Sequence, residues 1–392
     1  MTTLDIRYRS LVAEQFYKAF DAAPALLVRA PGRINLIGEH TDYNEGFVLP
    51  AAVAQSIYFA IGKSENQERC SLIALDFDER YDFNLRELAP LPADSWQNYI
   101  LGVVAEIQQS GRTLEGFNLV FAGDVPRGSG MSSSAALECG TCFGLNELFD
   151  LGIPKVEMVK LSQMAEHGYA GVKCGIMDQF ASMMGQQDQA LLLDCRSLEY
   201  SYFPIGLRDH KLILFNSNVT HSLASSEYNV RREQCEEGVS MLQQSFPEIT
   251  SLRDATLKSL LAVKSKMDDL IFIRCKYVIE ENERVDSFSR ALSSNDLVKA
   301  GQILNQAHHA MRYEYEITCP EIDFIADYVT NRDEVLGARM VGGGFGGCVL
   351  TLIRNGTQDL LSEELNTAYK KKFDKSIKPI EVEISDGVHR VD

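Results

Sequence analysis

Residues 123–137, GDVPRGSGMSSSAAL, constrain this chain more than any other stretch. The alternating run at 117–122 reads as a strand, and it leads into a turn of glycines, then serines, then helix-favouring alanines. A strand–loop–helix unit of this kind commits the chain to mixed α and β structure. The first N–H groups of a helix have no partner inside the helix, and glycines let a ligand come close to them, so the unit is a candidate anion site. Serine hydroxyls at its start can add contacts to phosphate or Mg2+. A flexible turn before a serine-capped helix would leave the same local pattern. The segment is not a Walker loop. Gly123 and Gly128 have the right spacing, but Ser129 stands where the lysine must be.

The rest of the chain keeps the mixed character. Helices are predicted at 5–20, 96–109, 133–149, 155–169, 176–184 and 358–373, and over most of 225–330 with breaks near Pro247 and Asn295. Strands are predicted at 26–30, 47–53, 56–61, 71–77, 117–122, 190–194, 211–215 and 379–384, with strand, glycine loop and strand over 338–353. The 392 residues suggest two domains. An α+β chain in two parts is expected, 1–205 and 206–392, with a boundary good to about ten residues because no linker composition marks it. No 20–50-residue repeat is visible.

Composition removes several function classes. The net charge is −17, which argues against a nucleic-acid binder with its basic face. A nucleotide site is still compatible, provided it is locally positive. No run approaches 18 apolar residues, so no membrane span is expected. Charges at Asp5, Arg7, Arg9 and Glu14 interrupt the N-terminal segment, so no secretory signal is expected either. Nine scattered cysteines fit a reducing cytoplasm better than a disulfide framework. Cys139 and Cys142 lie in an apolar helical stretch and read as buried small residues. The seven histidines form no zinc pattern.

Other segments are not explained by packing. Residues 31–50, PGRINLIGEHTDYNEGFVLP, crowd Arg33, Asn35, Glu39, His40, Asp42 and Asn44 between apolar runs, enough donors and acceptors to hold several hydroxyls at once. Residues 341–348, VGGGFGGC, match G-x-G-x-x-G formally, but a strand follows where a dinucleotide loop needs a helix. Only 45 residues follow Gly347, without the H-R-D and D-F-G signatures of a protein kinase. Five glycines are better explained by a backbone that passes close to a ligand or another loop. Asp178 is a lone acid in CGIMDQFASMM, either a helix cap or a functional acid. Glu166, followed by His167, reads from its neighbours alone as a surface pair.

Taken together, these segments resemble the GHMP small-molecule kinases and, within them, the galactokinases. GRINLIGEHTDY at 32–43 resembles the galactokinase signature, VPRGSGMSSSAAL the ATP-phosphate loop, and GGGFGGC the third glycine motif. CGIMDQF, LLLDCRSLEY and NSNVTHSLASSEYNVRREQCEE are similar too, so the resemblance runs in order from about residue 24 to 353. Val341 departs from the threonine expected before the glycines. The resemblance implies a two-domain fold with the active site in the cleft between domains. The implied activity is transfer of the γ-phosphoryl of MgATP to the 1-OH of α-D-galactose, the first committed step of galactose use.

By that resemblance Arg33 and Asp178 flank the reacting hydroxyl, and Glu39, His40, Asp42, Gly175 and Tyr228 hold the sugar. Gly128, Gly130, Ser132, Ser133 and Ser134 surround the phosphates, Ser134 and Glu166 coordinate Mg2+, and Trp96, Asn98 and Tyr99 match the region that packs on adenine. ATP and Mg2+ are thus the implied cofactors, galactose the substrate, with no obligate protein partner. A kinase for N-acetylgalactosamine or L-arabinose would keep the ATP motifs and change the sugar pocket. A non-catalytic galactose and ATP sensor would lack residues in the phosphate loop, and 132–136 is intact here.

Overall fold

Strand alternation builds the first layer. In the strand over 50–63, Ile57, Phe59 and Ile61 face one core, while Tyr58 and Ala60 face a second, smaller one. Its neighbour over 117–123 divides Leu119 and Phe121 from Val120 and Ala122 in the same way. A strand buried on both faces needs cover on both, and helices supply it.

The computed structural model describes residues 3–92, 95–126, 128–219 and 224–392. Arg127 of the phosphate-loop motif and residues 220–223 of the galactokinase-like stretch at 216–237 lie outside the described residues. In chain order the elements begin with α1 (Thr3–Phe20), β1 (Leu26–Asn35), β2 (Phe47–Val48), β3 (Pro50–Lys63), β4 (Arg69–Ala74) and β5 (Glu79–Asn84). Next come α2 (Gln97–Gln109), β6 (Phe117–Gly123), α3 (Ser133–Phe149), α4 (Lys155–Ala165), α5 (Met177–Met184), β7 (Gln189–Asp194) and β8 (Tyr200–Pro204). Then β9 (His210–Asn216), α6 (Ala224–Gln243), α7 (Leu257–Val263), α8 (Asp269–Ser293), α9 (Leu297–Ala310) and α10 (Pro320–Thr330) lead to β10 (Val335–Val341), β11 (Cys348–Arg354), α11 (Gln358–Phe373), β12 (Pro379–Glu381) and β13 (His389–Arg390).

Among the described residues the strands form three sheets. One has six strands in the order β13-β1-β3-β6-β4-β5, with only β4 and β6 parallel. Helix α1 covers one face of it, and α3 and α5 pack on the other. A second sheet, β10-β11-β9-β12, is antiparallel and carries α9 and α10. The third is β2-β7-β8. Near the chain end β13 returns to pair with β1, Val28 opposite Arg390.

Several elements differ from expectation. The strands predicted at 47–53 and 56–61 are instead a two-residue β2 and one long β3. Strand β1 continues through Arg33 to Asn35, because backbone pairing with Ala51 and Ala52 carries its polar residues into the sheet. Strands β5 and β8 escape the sequence because few of their side chains are buried, so no alternation marks them. Helix α4 ends in a π turn over Glu166–Ala170, and α9 in another over Met311–Tyr315. Such turns cluster at functional sites. Cys139 and Cys142 are buried and free, as expected.

Candidate active site

The two glycine loops meet first. A Cβ on Gly130 would lie 2.6 Å from the carbonyl oxygen of Val341, so the loop before α3 rests backbone to backbone on the loop between β10 and β11. This close approach is what the glycines of 341–348 are for. The segment does lead from strand to strand, not into a helix.

Beside that junction Arg33, on β1, reaches Asp178 in the first turn of α5. Arg33 Nε donates to Asp178 Oδ1 at 2.7 Å, and Nη2 donates to Oδ2. Ser132 Oγ also donates to Oδ2, and Arg33 Nη1 donates to the carbonyl of Gly130. Asp178 is therefore not the helix cap; Ile176 holds that position. Ser132 sits in the left-handed region at φ 59° and caps α3 without a side-chain bond to it. Its hydroxyl goes to Asp178 instead. Burial works against the Arg33 charge, but the adjoining Asp178 carboxylate more than offsets it and holds the guanidinium above its ordinary pKa.

These groups form one wall of a cavity of about 210 Å³. Glu39, His40, Asp42, Glu166 and Tyr228 also line it, together with Val172, Cys174, Met177 and Gly342–Gly344. Gly175 stands directly behind Asp42, where a Cβ would lie 1.9 Å from Oδ2. Burial, then the charge of Asp178, push the Asp42 carboxyl up to about 7. The same two causes push Glu166 up to about 7. Glu166 is buried, so it is not the surface residue its neighbours suggested.

The loop that carries Glu39 and His40 is heavily pre-bonded. Glu39 Oε1 pairs with the Arg339 guanidinium at 2.7 Å and accepts from the N–H of Gly342 at 2.6 Å, and Oε2 accepts from Asn35. Burial raises its pKa, while Arg339 opposes the rise. His40 is held neutral by burial, its pKa lowered to about 3. Its Nε2 must then donate to the carbonyl of Gly343 at 3.0 Å, so Nδ1 accepts from Tyr43 Oη at 2.7 Å. Tyr43 in turn accepts from Tyr315 at 2.8 Å. His40 thus walls the cavity, and both its ring nitrogens have protein partners.

A second cavity, of about 290 Å³, opens on the other side of the Gly/Ser loop. Trp96, Tyr99, Ser133 and Ser134 line it with Phe77 and Phe121. Trp96 is fixed there by a 2.6 Å bond from Nε1 to Glu79 and by edge packing on Phe121 at 5.3 Å. Asn98, expected beside Trp96 and Tyr99, is not among the lining residues. It is buried away from this cavity, and its amide accepts from the N–H of Leu91 and donates to the carbonyls of Leu91 and Pro92, holding the turn before α2. Gly128 and Gly130 both have positive φ, at 63° and 78°, in the loop between the cavities.

Ser134 stands near enough to Glu166 for its hydroxyl to favour the ionised carboxylate. These hard oxygens suit Mg2+, which takes few protein ligands and completes its shell from phosphate and water. Behind them lie groups the sequence reading missed. Gln179 Nε2 donates to Glu166 at 2.6 Å and to the fully buried Glu138 at 3.0 Å, whose Oε1 has no hydrogen-bond partner among the described residues. Among the described residues no three Asp, Glu, His or Cys side chains form a metal cage, so a cation here would draw most of its shell from phosphate and water. Glu138 carried the same signal as Asp178, a lone acid in an apolar helix. Arg339 gave no signal, since one arginine in a strand is ordinary.

The sequence model described as "Galactokinase galactose-binding signature" matches residues 14–63. Those of the GHMP kinases N-terminal and C-terminal domains match 98–186 and 288–371. The chain is similar to a galactokinase of Thermotoga petrophila, 41% identical over 93% of this chain and 99% of the relative. It is similar in structure to Lactococcus lactis galactokinase crystallised with galactose, with a TM-score of 0.93, 32% identity, and coverage of 97% of this chain and 99% of that one. Methanococcus jannaschii mevalonate kinase shares the fold, with a TM-score of 0.64 at 17% identity over 92% of this chain and 98% of its own.

Proposed function

Because the chain belongs to the galactokinase family of the GHMP kinases, we propose that it transfers the γ-phosphoryl of ATP to the anomeric 1-OH of α-D-galactose, giving galactose 1-phosphate and ADP. One observation carries the reading: the Arg33–Asp178–Ser132 contact joins a cavity walled with hydroxyl-binding groups to a Gly/Ser helix start. Phosphoryl transfer needs positioning and charge stabilisation at such a junction.

In this reading the sugar occupies the Asp42 cavity, with Asp42 and Tyr228 toward its hydroxyls and His40 as a wall. Glu39 keeps lone-pair capacity for one further hydroxyl. The adenine lies by Trp96 and Tyr99, and the phosphates cross the loop from Gly128 to Ser134. Among the described residues Asp178 Oδ1 accepts only from Arg33 Nε, which leaves it room to orient the 1-OH and take its proton. Arg33 stabilises charge on the transferred group. Ser134 and Glu166 would hold Mg2+, with Glu138 and Gln179 behind them. When bound, the ion neutralises phosphate oxygens, a local excess of positive charge in an acidic chain.

The division into residues 1–205 and 206–392 is proposed with it, the second part supplying Tyr228 and Gly342–Gly344 across the cleft. A cytoplasmic location fits free cysteines, and among the described residues no helix is long and apolar enough to cross a membrane. The test is ADP release by the purified protein with galactose, glucose, N-acetylgalactosamine and L-arabinose. Galactose should exceed each of the others by at least ~10²-fold in kcat/KM, since buried groups built for one set of hydroxyls are left unpaired by another. Equal values for glucose and galactose would overturn the reading.

A further inference from the structure

Glu39, His40 and Asp42 reach the sugar cavity from one short loop, residues 38–46. The loop fixes its own shape. Thr41 Oγ1 donates to the carbonyl of Gly38 at 2.9 Å, Asn44 Nδ2 to that of His40 at 2.9 Å, and Gly46 N to that of Thr41 at 2.8 Å. Internal bonds set shape but not position. At its two ends position comes from α8, more than 230 residues further along the chain.

Two backbone donors stand at the two ends of the loop, and α8 satisfies both. The N–H of Gly38 donates to Glu281 Oε1 at 3.0 Å, and the N–H of Phe47 donates to Asn282 Oδ1 at 2.9 Å. Tyr277, one turn earlier on the same face of the helix, donates from its hydroxyl to the carbonyl of Glu39 at 3.2 Å. Each acceptor is itself held. Glu281 is fully buried and its Oε2 accepts from Arg284 at 2.6 Å, while Asn282 Nδ2 donates to the carbonyl of Val278 at 3.1 Å. The fit is tight enough that a Cβ on Gly46 would come within 2.3 Å of Asn282 Oδ1.

We propose that Glu281 and Asn282 form a two-point clamp that positions the hydroxyl-binding loop and so sets affinity for the sugar without touching it. The clamp acts through the loop backbone, so it bears on the sugar cavity and not on the ATP cavity, which is built from α2, α3, β3 and β6. Helix α8 is therefore a specificity element, not only a scaffold. The inference rests on the sugar reading of this cavity.

The test is steady-state kinetics of Asn282→Ala on the full chain, varying galactose and ATP separately. Leaving the Phe47 N–H unpaired should raise KM for galactose roughly 10-fold, with KM for ATP within about two-fold. Asn282→Asp keeps the acceptor for the Phe47 N–H but loses the donor to the Val278 carbonyl, so its galactose KM should fall between those of Asn282→Ala and wild type. Gly46→Ala presses on Asn282 Oδ1, and on Thr41 as well, and should raise the same KM; it carries the test should Asn282→Ala fail to fold. The clamp is overturned if both KM values rise together, if only melting temperature changes, or if the galactose KM of Asn282→Asp is no better than that of Asn282→Ala. Failure of the wild type to phosphorylate galactose would instead refute the substrate reading. The same split would then be measured with whichever sugar of the panel is turned over.

Discussion

Asp178→Asn separates a structural acid from a chemical one. In the native site the carboxylate accepts from Arg33 Nε, Arg33 Nη2 and Ser132 Oγ, and its side chain is 22% exposed against 5% for Arg33. An asparagine has one acceptor oxygen. If that oxygen keeps the bond to Nε, its NH2 faces Nη2, donor against donor. Ser132 can turn its hydroxyl around, but Arg33 cannot, and it is left buried without its counter-charge. Removing one partner of such a pair costs about 3 kcal/mol, the lower end of the usual range because Asp178 is partly wetted. With about 2.1 cal/mol/K of unfolding entropy per residue, a chain of 392 residues should then lose roughly 4 °C in melting temperature. A plain helix cap would cost about 1 kcal/mol or nothing, since Asn caps as well as Asp. Turnover discriminates further. The variant should fold, bind ATP, and lose at least ~10²-fold in kcat, with a modest change in galactose affinity. Arg33→Ala should also lower kcat, and the double variant should fall well short of the product, because both groups act on one transition state. The assays are a thermal melt, ADP release and calorimetric galactose binding. A variant with near wild-type melting temperature and turnover would refute the reasoning.

Two other perturbations follow from the same geometry. Ser134→Ala and Glu166→Gln should each raise the Mg2+ concentration for half-maximal turnover by at least ~10-fold, in the range typical of perturbed metal shells, and Ser134→Ala, which changes only the other cavity, should leave galactose binding by the protein alone unchanged; loss of galactose binding in Ser134→Ala with an ordinary Mg2+ response would contradict the assignment. Asp42 has a folded pKa of about 7 against 3.8 unfolded, so folding takes up a proton between those values. Its contribution to stability is complete below about pH 4 and disappears as pH rises through 7, a change of about 4 kcal/mol at most. Melting temperature of the ligand-free protein should therefore fall from pH 5 to pH 8, and Asp42→Asn should flatten that slope; parallel slopes would show that Asp42 ionises freely.

Much of the site was legible in the chain because its chemistry is local. The serines before α3 and the acids of residues 32–43 stand together in sequence, and an anion loop has to be continuous because it uses consecutive backbone N–H groups. The glycines of 341–348 likewise announced a close backbone approach, and the helix breaks near Pro247 and Asn295 are where the residues put them. Sequence alone thus determined the strand–loop–helix unit, the polar loop that walls the cavity, and the lone acid at 178.

What the tertiary structure decided is which atoms remain free. The imidazole of His40 looks available in the sequence, but the carbonyl of Gly343 and the hydroxyl of Tyr43 use both its nitrogens. Asn98 looks like a ligand and is a loop brace. Glu166 looks like a surface residue, and the π turn after α4 buries it against Gln179. The partners include backbone groups, the carbonyls of Gly343, Leu91 and Pro92, and side chains, Tyr43 and Gln179, that only the fold turns toward them. Hydrogen-bond capacity is finite, and only the folded chain shows how much of it is already spent. The Arg339–Glu39 pair and the grip of α8 on residues 38 and 47 belong to the same class. They join segments hundreds of residues apart, and each residue taken singly is ordinary.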